Sequence, residues 1–237
     1  MKIIKAASYE ELSARTADLL AAQILLKPDC LLGLATGSSP IGTYKELVRR
    51  YNAGQLDFSK VKTVNLDEYC GLGGDNDQSY RYFMNSNLFS NVNIDIENTQ
   101  VPNGKAPDMA AECLRYDALL EACGQPDIQL LGIGHDGHIA FNEPADSFSV
   151  GTNIVDLEEE TVAANARFFA SPADVPRKAI TMGIRNIMLA KKIILVASGE
   201  EKRDIINKAL FGPVTPRIPA SILQLHADVT VVLCLGD

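Results

Sequence analysis

The chain has 237 residues, 46% of them hydrophobic and 22% charged, with 30 acidic against 22 basic side chains and a formal net charge of −8. Those proportions are globular, and the length is ample for a sizeable core, so fibrous and disordered classes are excluded. The acidic balance argues against a nucleic-acid surface, although a few local cations and backbone amides still suffice for a small anion.

Met1 to Lys5 suit a short edge strand. Ser8 and Glu11 have capping-box spacing, and Leu12, Leu19, Leu20 and Ile24 then recur at helical intervals until Pro28 stops the helix. Residues 30–35 read as a buried strand, and residues 41–52 as a helix with Leu47 and Val48 inward. Between them lies Thr36-Gly37-Ser38-Ser39-Pro40. A strand, a loop of small residues and a helix turn free backbone N–H groups and a helix dipole toward an anion. The same residues also make an ordinary helix cap, and the loop alone leaves both readings open. It is neither a Walker loop nor G-x-G-x-x-G, so nothing points to a nucleotide.

Residues 61–66 form the next expected strand, ending in Asp67-Glu68-Tyr69. Adjacent carboxylates at a strand exit suit a helix cap, a cation site or a general base. A polar loop over 70–78 precedes a helix over 79–88. Residues 91–105 are rich in turns, with Val101 marking a possible strand, and 108–123 are helical, with Ala110, Ala111, Leu114, Leu119 and Leu120 as apolar positions.

The apolar run 128–131 reads as a buried strand leading into Gly132-Ile133-Gly134-His135-Asp136-Gly137-His138-Ile139-Ala140-Phe141-Asn142-Glu143-Pro144. Glycines at a strand exit allow a sharp turn and leave room for a ligand, and in open parallel sheets ligands gather beyond the carboxyl ends of strands. Asp136, His138 and Glu143 therefore stand where chemistry is expected. The competing reading is a polar loop whose side chains bond only the backbone.

Residues 146–155 carry mixed signals, 157–166 look helical, and Arg167-Phe168-Phe169 precede Pro172 and Pro176. A short strand over 179–183 runs into a helix over 184–190, and 192–198 form another buried strand. Gly199-Glu200 open a helix with Lys202 in its first turn, where a cation opposes the dipole by about 0.3–1 kcal/mol. Three prolines, 213, 216 and 219, break the chain before a short helix, and 227–235 end it as a strand. Strands alternate with helices, which implies a parallel sheet between helical layers with right-handed crossovers. No linker or internal repeat interrupts residues 1–237, so one domain is expected.

The five cysteines, Cys30, Cys70, Cys113, Cys123 and Cys234, include no CxxC pair, and His135, His138 and His226 lack zinc-like spacing. There is no signal-peptide core, no apolar run near the roughly 20 residues that span a bilayer, and no G-x-S-x-G elbow. The expectation is a cytoplasmic protein without metal, disulfides or a membrane or nucleic-acid partner. What remains is proton transfer on a small phosphorylated molecule.

The run from Asp136 to Pro144 closely resembles the active-site signature of the glucosamine-6-phosphate deaminases, also called isomerases. Residues 34–40 and 65–69 resemble that family's other two signatures, in the same order, and Arg167-Phe168-Phe169 and Lys202 extend the match over nearly the whole chain. The resemblance implies an α/β fold: a three-layer α/β/α unit with a mostly parallel, Rossmann-like sheet, as in the ribose-phosphate isomerase/glucosamine-phosphate deaminase superfamily. It also implies a reaction without cofactors in amino-sugar catabolism, in which glucosamine 6-phosphate and water give fructose 6-phosphate and ammonia. Carried over by position, Asp67 moves the proton from C2 to C1 through an enolamine. His138 assists ring opening between O1 and O5, and Asp136 and Glu143 orient its imidazole and tune its pKa. Gly37, Ser38, Ser39, Arg167 and Lys202 match the phosphate-binding set, and residues 150–180 correspond to a mobile lid.

Some members have Asn in place of Asp136, and His135 varies among them. Members activated by N-acetylglucosamine 6-phosphate carry Arg and Lys where this chain has Asn153 and Val155, with Asp156 beside them. A 6-phosphogluconolactonase would share the Gly-x-Gly-x-Asp-Gly-His run but not residues 141–144, and would have no need of Asp67-Glu68. A sugar-phosphate sensor on this fold would carry a DNA-binding unit, for which neither length nor acidity leaves room. The expected partner is a small sugar phosphate, with monomer or homo-oligomer left open.

Overall fold

The computed structural model describes residues 1–157, 159, 162, 169, 171 and 175–236. Local sequence rules account for most of its elements. Ser8 Oγ accepts the Glu11 N–H at 3.2 Å and Glu11 Oε2 accepts the Ala7 N–H at 2.9 Å, so the capping box closes one residue further back than usual. Helix α1 (Tyr9–Leu26) follows and ends before Pro28, with Leu12, Leu20 and Ile24 in the core and Leu19 only partly covered. Helix α2 (Ile41–Asn52) buries Leu47 fully and Val48 in part.

Seven strands form the main sheet: β1 (Lys2–Lys5), β2 (Leu31–Leu34), β3 (Lys62–Asn65), β5 (Thr99–Gln100), β6 (Ile128–Leu131), β9 (Ile193–Ser198) and β10 (Val229–Cys234). Every pairing in it is parallel, in the order β1-β10-β9-β6-β2-β3-β5. All four residues of β2 and of β6 are buried. Strands without an exposed face need cover on both sides, which the helices supply. Among the described residues the other α-helices with stated bounds are α3 (Tyr80–Asn87), α4 (Met109–Cys123), α5 (Ile184–Met188) and α6 (Arg203–Phe211), and residues 219–225 form a 3₁₀ turn in place of the expected short helix.

The strand order carries the functional information. From β2 the chain steps outward to β3 and β5, then returns to lay β6 on the other side of β2 and continues through β9 to β10. The connections after β2 and β6 therefore part in opposite directions, and between them opens the crevice where α/β sheets bind ligands.

Beside the expected parallel sheet, β4 (Asp67–Tyr69), β7 (Asn153–Asp156) and β8 (Lys178–Thr181) make a separate antiparallel sheet in the order β4-β8-β7, which the alternation of strands and helices does not show. Only Leu66 separates β3 from β4, too little chain for a crossover back into the parallel sheet. Strand β7 alternates half-buried with exposed residues, as an edge strand with one wet face does.

Tyr69, Phe141, Leu157, Val162, Val175 and Ala179 form a small second core beside this sheet, with Tyr80 and Phe169 packed against it. The helix expected over 157–166 and much of the expected lid, including Arg167 and Phe168, lie outside the described residues. Among the described residues no helix is long and apolar enough to cross a membrane.

Candidate active site

Four neighbouring strand ends carry the residues singled out from the sequence: β9 leads to Lys202, β6 to residues 132–144, β2 to Gly37, Ser38 and Ser39, and β3 to Asp67. These strands are consecutive in the sheet, so the parallel fold brings together segments far apart in the chain.

After β2, Gly37 has φ +89 and open space where a Cβ would lie, a conformation that favours glycine. The Tyr9 hydroxyl takes up the loop's carbonyls, donating to Ser38 O and Ser39 O at 3.0 and 3.1 Å, and it accepts the Gly42 N–H at 2.9 Å. Pro40 at the N-terminus of α2 supplies no side-chain cap, and Tyr9 takes the Gly42 N–H in its place. The helix dipole favours an anion there.

After β6 the chain folds tightly around His138. Gly134 N donates to His138 O at 2.9 Å, and a Cβ on Gly134 would lie 2.3–2.6 Å from the imidazole, so the ring packs where only glycine fits. His138 Nδ1 stands 2.8 Å from Asp136 Oδ1 and 3.2 Å from Glu143 Oε2. Both carboxylates thus stand against the same ring nitrogen. Burial alone would lower the His138 pKa, but the two carboxylates outweigh it and raise the ring to about 9. Asp136 experiences the reverse: burial opposes its charge, yet His138 holds it well below the usual carboxylate range. These three donors lie within 4.8 Å of one another, a spacing that also suits a cation, and an imidazolium between two carboxylates satisfies the same charges.

Between His138 and Glu143 the backbone is strained. Ala140 has φ 54, and Ile139 and Asn142 close the turn around it with an N–H to O bond of 3.1 Å. A residue with a Cβ in this region costs about 1–2 kcal/mol, and such outliers concentrate at functional sites.

Asp67, at the start of β4, is 6% exposed. Among the described residues nothing donates a hydrogen bond to its carboxylate. Burial pushes its pKa up to about 8, the charge of Glu68 adds to the rise, and His138 opposes it. Its neighbour has a different role. Glu68 Oε1 accepts the N–H groups of Tyr69 and Tyr80 at 2.8 and 2.9 Å, and Oε2 accepts that of Arg81 at 2.9 Å. Of the three uses open to the adjacent pair, Glu68 thus caps α3, while Asp67 stays free. Lys202 closes a 3₁₀ turn (Glu200–Lys202) ahead of α6, and its Nζ donates to Ile133 O at 2.9 Å.

The sequence had no signal for the aromatic floor. Tyr80 and Phe141 stack at 5.9 Å and 11°, and Tyr69 meets both along with Phe169. His135 is exposed, and His226 is used structurally, its Nε2 lying 2.8 Å from Ala190 O. Arg167 lies outside the described residues.

A family model described as glucosamine-6-phosphate isomerases/6-phosphogluconolactonase matches residues 5–232. A glucosamine-6-phosphate deaminase of Lachnoclostridium phytofermentans is 61% identical over 234 residues, covering 99% of each chain. A solved monomeric glucosamine-6-phosphate deaminase superposes with a TM-score of 0.97 at 47% identity, over 99% of this chain and 97% of its own. The 6-phosphogluconolactonase of Thermotoga maritima superposes with a TM-score of 0.77 over 100% of this chain and 99% of its own; at 19% identity it shares the fold alone.

Proposed function

This chain belongs to the glucosamine-6-phosphate isomerase/6-phosphogluconolactonase family, and from that membership we propose that it is a glucosamine-6-phosphate deaminase. The observation that carries the choice within the family is Asp67, a buried carboxylate with no hydrogen-bond donor among the described residues and a pKa raised to about 8. A base works best with a pKa near the operating pH, and this one follows β3, the strand beside the one that leads into the anion-favouring loop. Hydrolysis of a lactone removes no carbon-bound proton and would leave such a group idle.

The substrate's phosphate is held by Gly37, Ser38 and Ser39 with Lys202, and Arg167 joins them by resemblance. His138, charged between Asp136 and Glu143, gives its proton to the ring oxygen O5 as the C1–O5 bond breaks and takes the O1 proton back, which opens the pyranose to the aldehyde. Asp67 then takes the C2 proton. The electron pair moves into a C1–C2 double bond as the aldehyde oxygen is protonated, forming an enolamine. Returning the proton to C1 leaves an imine at C2, which water hydrolyses to the ketone and ammonia. The aldehyde and amine acidify the C2 proton, so no cofactor is required. General acid–base groups placed in this way typically contribute about 10²–10⁴-fold each.

One domain carries the whole reaction. A sugar-phosphate substrate and the absence of a membrane-spanning helix among the described residues fit a cytoplasmic enzyme. The test is ammonia release from glucosamine 6-phosphate, run beside hydrolysis of 6-phosphogluconolactone. Lactone hydrolysis without ammonia release would place the chain on the other side of its family.

A further inference from the structure

The end of β8 touches both halves of the site. Thr181 pairs with Asp67 in the antiparallel register of β4 and β8, and its Oγ1 accepts the backbone N–H of Phe141 at 3.0 Å. Met182 N donates to Leu66 O at 2.7 Å, one residue before Asp67. Met182 O accepts Asn142 Nδ2 at 2.9 Å, and the same Nδ2 donates to Ile139 O at 3.0 Å. Ser149 Oγ donates to Asn142 Oδ1, so the amide is engaged at both its ends. Thr181 and Asn142 are both buried.

These bonds fall on either side of the strained residue. Ile139 and Phe141 flank Ala140 at φ 54, and the groups taken up by Asn142 and Thr181 are Ile139 O and Phe141 N. A backbone in this conformation persists only where its surroundings hold it. We propose that Thr181 and Asn142 are positioning residues for the deaminase reaction, clamping the turn that bears His138 and Glu143 to the strand opposite Asp67, so that the ring-opening acid and the C2 base keep a fixed separation. Neither touches a reacting atom. The proposal rests on the deaminase reading for its chemistry, but the clamp has a readout of its own.

The test compares Thr181→Val, which keeps the shape and loses the acceptor, with Thr181→Ser, which keeps the acceptor. A misplacement of about 1 Å costs up to about 10²-fold, so the Val variant should lose roughly 10–100-fold in kcat, with KM within about twofold because the phosphate is held elsewhere; the Ser variant should recover to within about threefold of wild type. Hydrogen exchange at the Phe141 amide should quicken in the Val variant and not in the Ser variant. A Val variant with wild-type kcat, or a Ser variant as slow as Val, overturns the proposal. If the wild type itself releases no ammonia, the deaminase reading falls first, and an unaltered Phe141 exchange rate in the Val variant would then overturn the clamp as well. Should Thr181→Val fail to fold, Thr181→Cys, with a weak acceptor of similar size, takes its place in the same comparison.

Discussion

Lys202 Nζ donates to the Ile133 carbonyl oxygen at 2.9 Å, tying the cation at the end of β9 to the loop that opens the catalytic motif after β6. Burial lowers the lysine's pKa, and the charges of Glu201 and Asp136 work against that fall. Much of its ordering and desolvation is complete before a phosphate arrives, which reduces what binding must cost.

Lys202→Ala should therefore act on binding. A hydrogen bond to a charged group contributes about 1.5–3 kcal/mol, so KM for glucosamine 6-phosphate should rise roughly 10–100-fold while kcat changes by only a few fold. Glucosamine without its phosphate should already be a very poor substrate of the wild type. Saturation curves for both sugars decide this, and an unchanged KM would reduce Lys202 to a pin for Ile133.

Asp67→Asn separates activity from stability. Turnover should fall by at least about 10²–10⁴-fold, because the amide keeps the shape and cannot take the C2 proton. Stability should move the other way. The folded pKa of Asp67 is raised to about 8, so its contribution to stability is fully present below the unfolded carboxylate pKa and is lost as pH rises through about 8. His138, raised to about 9, adds stability that is fully present below its unfolded pKa and is lost as pH rises through about 9. Wild-type Tm should thus decline from mildly acidic pH toward pH 9. Asn at 67 should remove part of that decline, gaining about 1–3 kcal/mol at the alkaline end, the cost of a buried group left without partners. A variant no more stable than wild type at pH 9 would show that Asp67 ionises without penalty.

The meeting of Asp136, His138 and Glu143 was legible because they lie on one short loop, where chain distance and spatial distance agree. The seven-stranded sheet was legible for a similar reason, since buried strands such as residues 193–198 are continuous apolar runs. Of the side sheet only the strand near 179–183 was legible, because Asp67–Tyr69 and Asn153–Asp156 are short and lack clear apolar alternation. The role of Thr181 was equally invisible: a hydroxyl that accepts an N–H forty residues away leaves no periodic trace. Leu114 marks another limit, being in register on α4 yet 73% exposed. Helical spacing identifies the helix, while packing decides which apolar residue faces inward.

Ala140→Gly should relieve the strain in the catalytic turn. The left-handed conformation costs a residue with a Cβ about 1–2 kcal/mol, against which glycine's greater unfolded-state freedom returns about 0.5–1 kcal/mol. Stability should therefore rise by up to about 1.5 kcal/mol. The freed turn should hold His138 and Glu143 less firmly, so kcat should fall severalfold as Tm rises. Paired thermal melts and rate measurements check both signs; a gain in both would mean that the strain has no part in placing the imidazole.

The last prediction concerns regulation by N-acetylglucosamine 6-phosphate. A pocket of about 250 Å³ lies behind the catalytic turn, lined among others by Glu143, Ser149, Asn153, Val155 and Asp156. It includes the positions where activated relatives resembling this chain supply Arg and Lys. Here the charged lining residues are both carboxylates, Glu143 and Asp156, and Asn153 already spends an amide N–H on Gly151 O. A phosphate with nearly two negative charges needs fixed cations or clustered N–H donors to leave water, and this lining repels it. Lys178 is one nearby cation, and its exposed Nζ already faces Asp156 Oδ1 at 3.4 Å. Lys2 and Lys5 sit on β1, at the far edge of the main sheet beyond β10. Without differential binding to two states an effector shifts nothing. Saturation with glucosamine 6-phosphate should be hyperbolic, and millimolar acetylated sugar phosphate should do no more than compete weakly at the active site. A sigmoidal curve that the effector straightens would refute this. Loss of that response in Lys178→Ala would then identify the cation responsible.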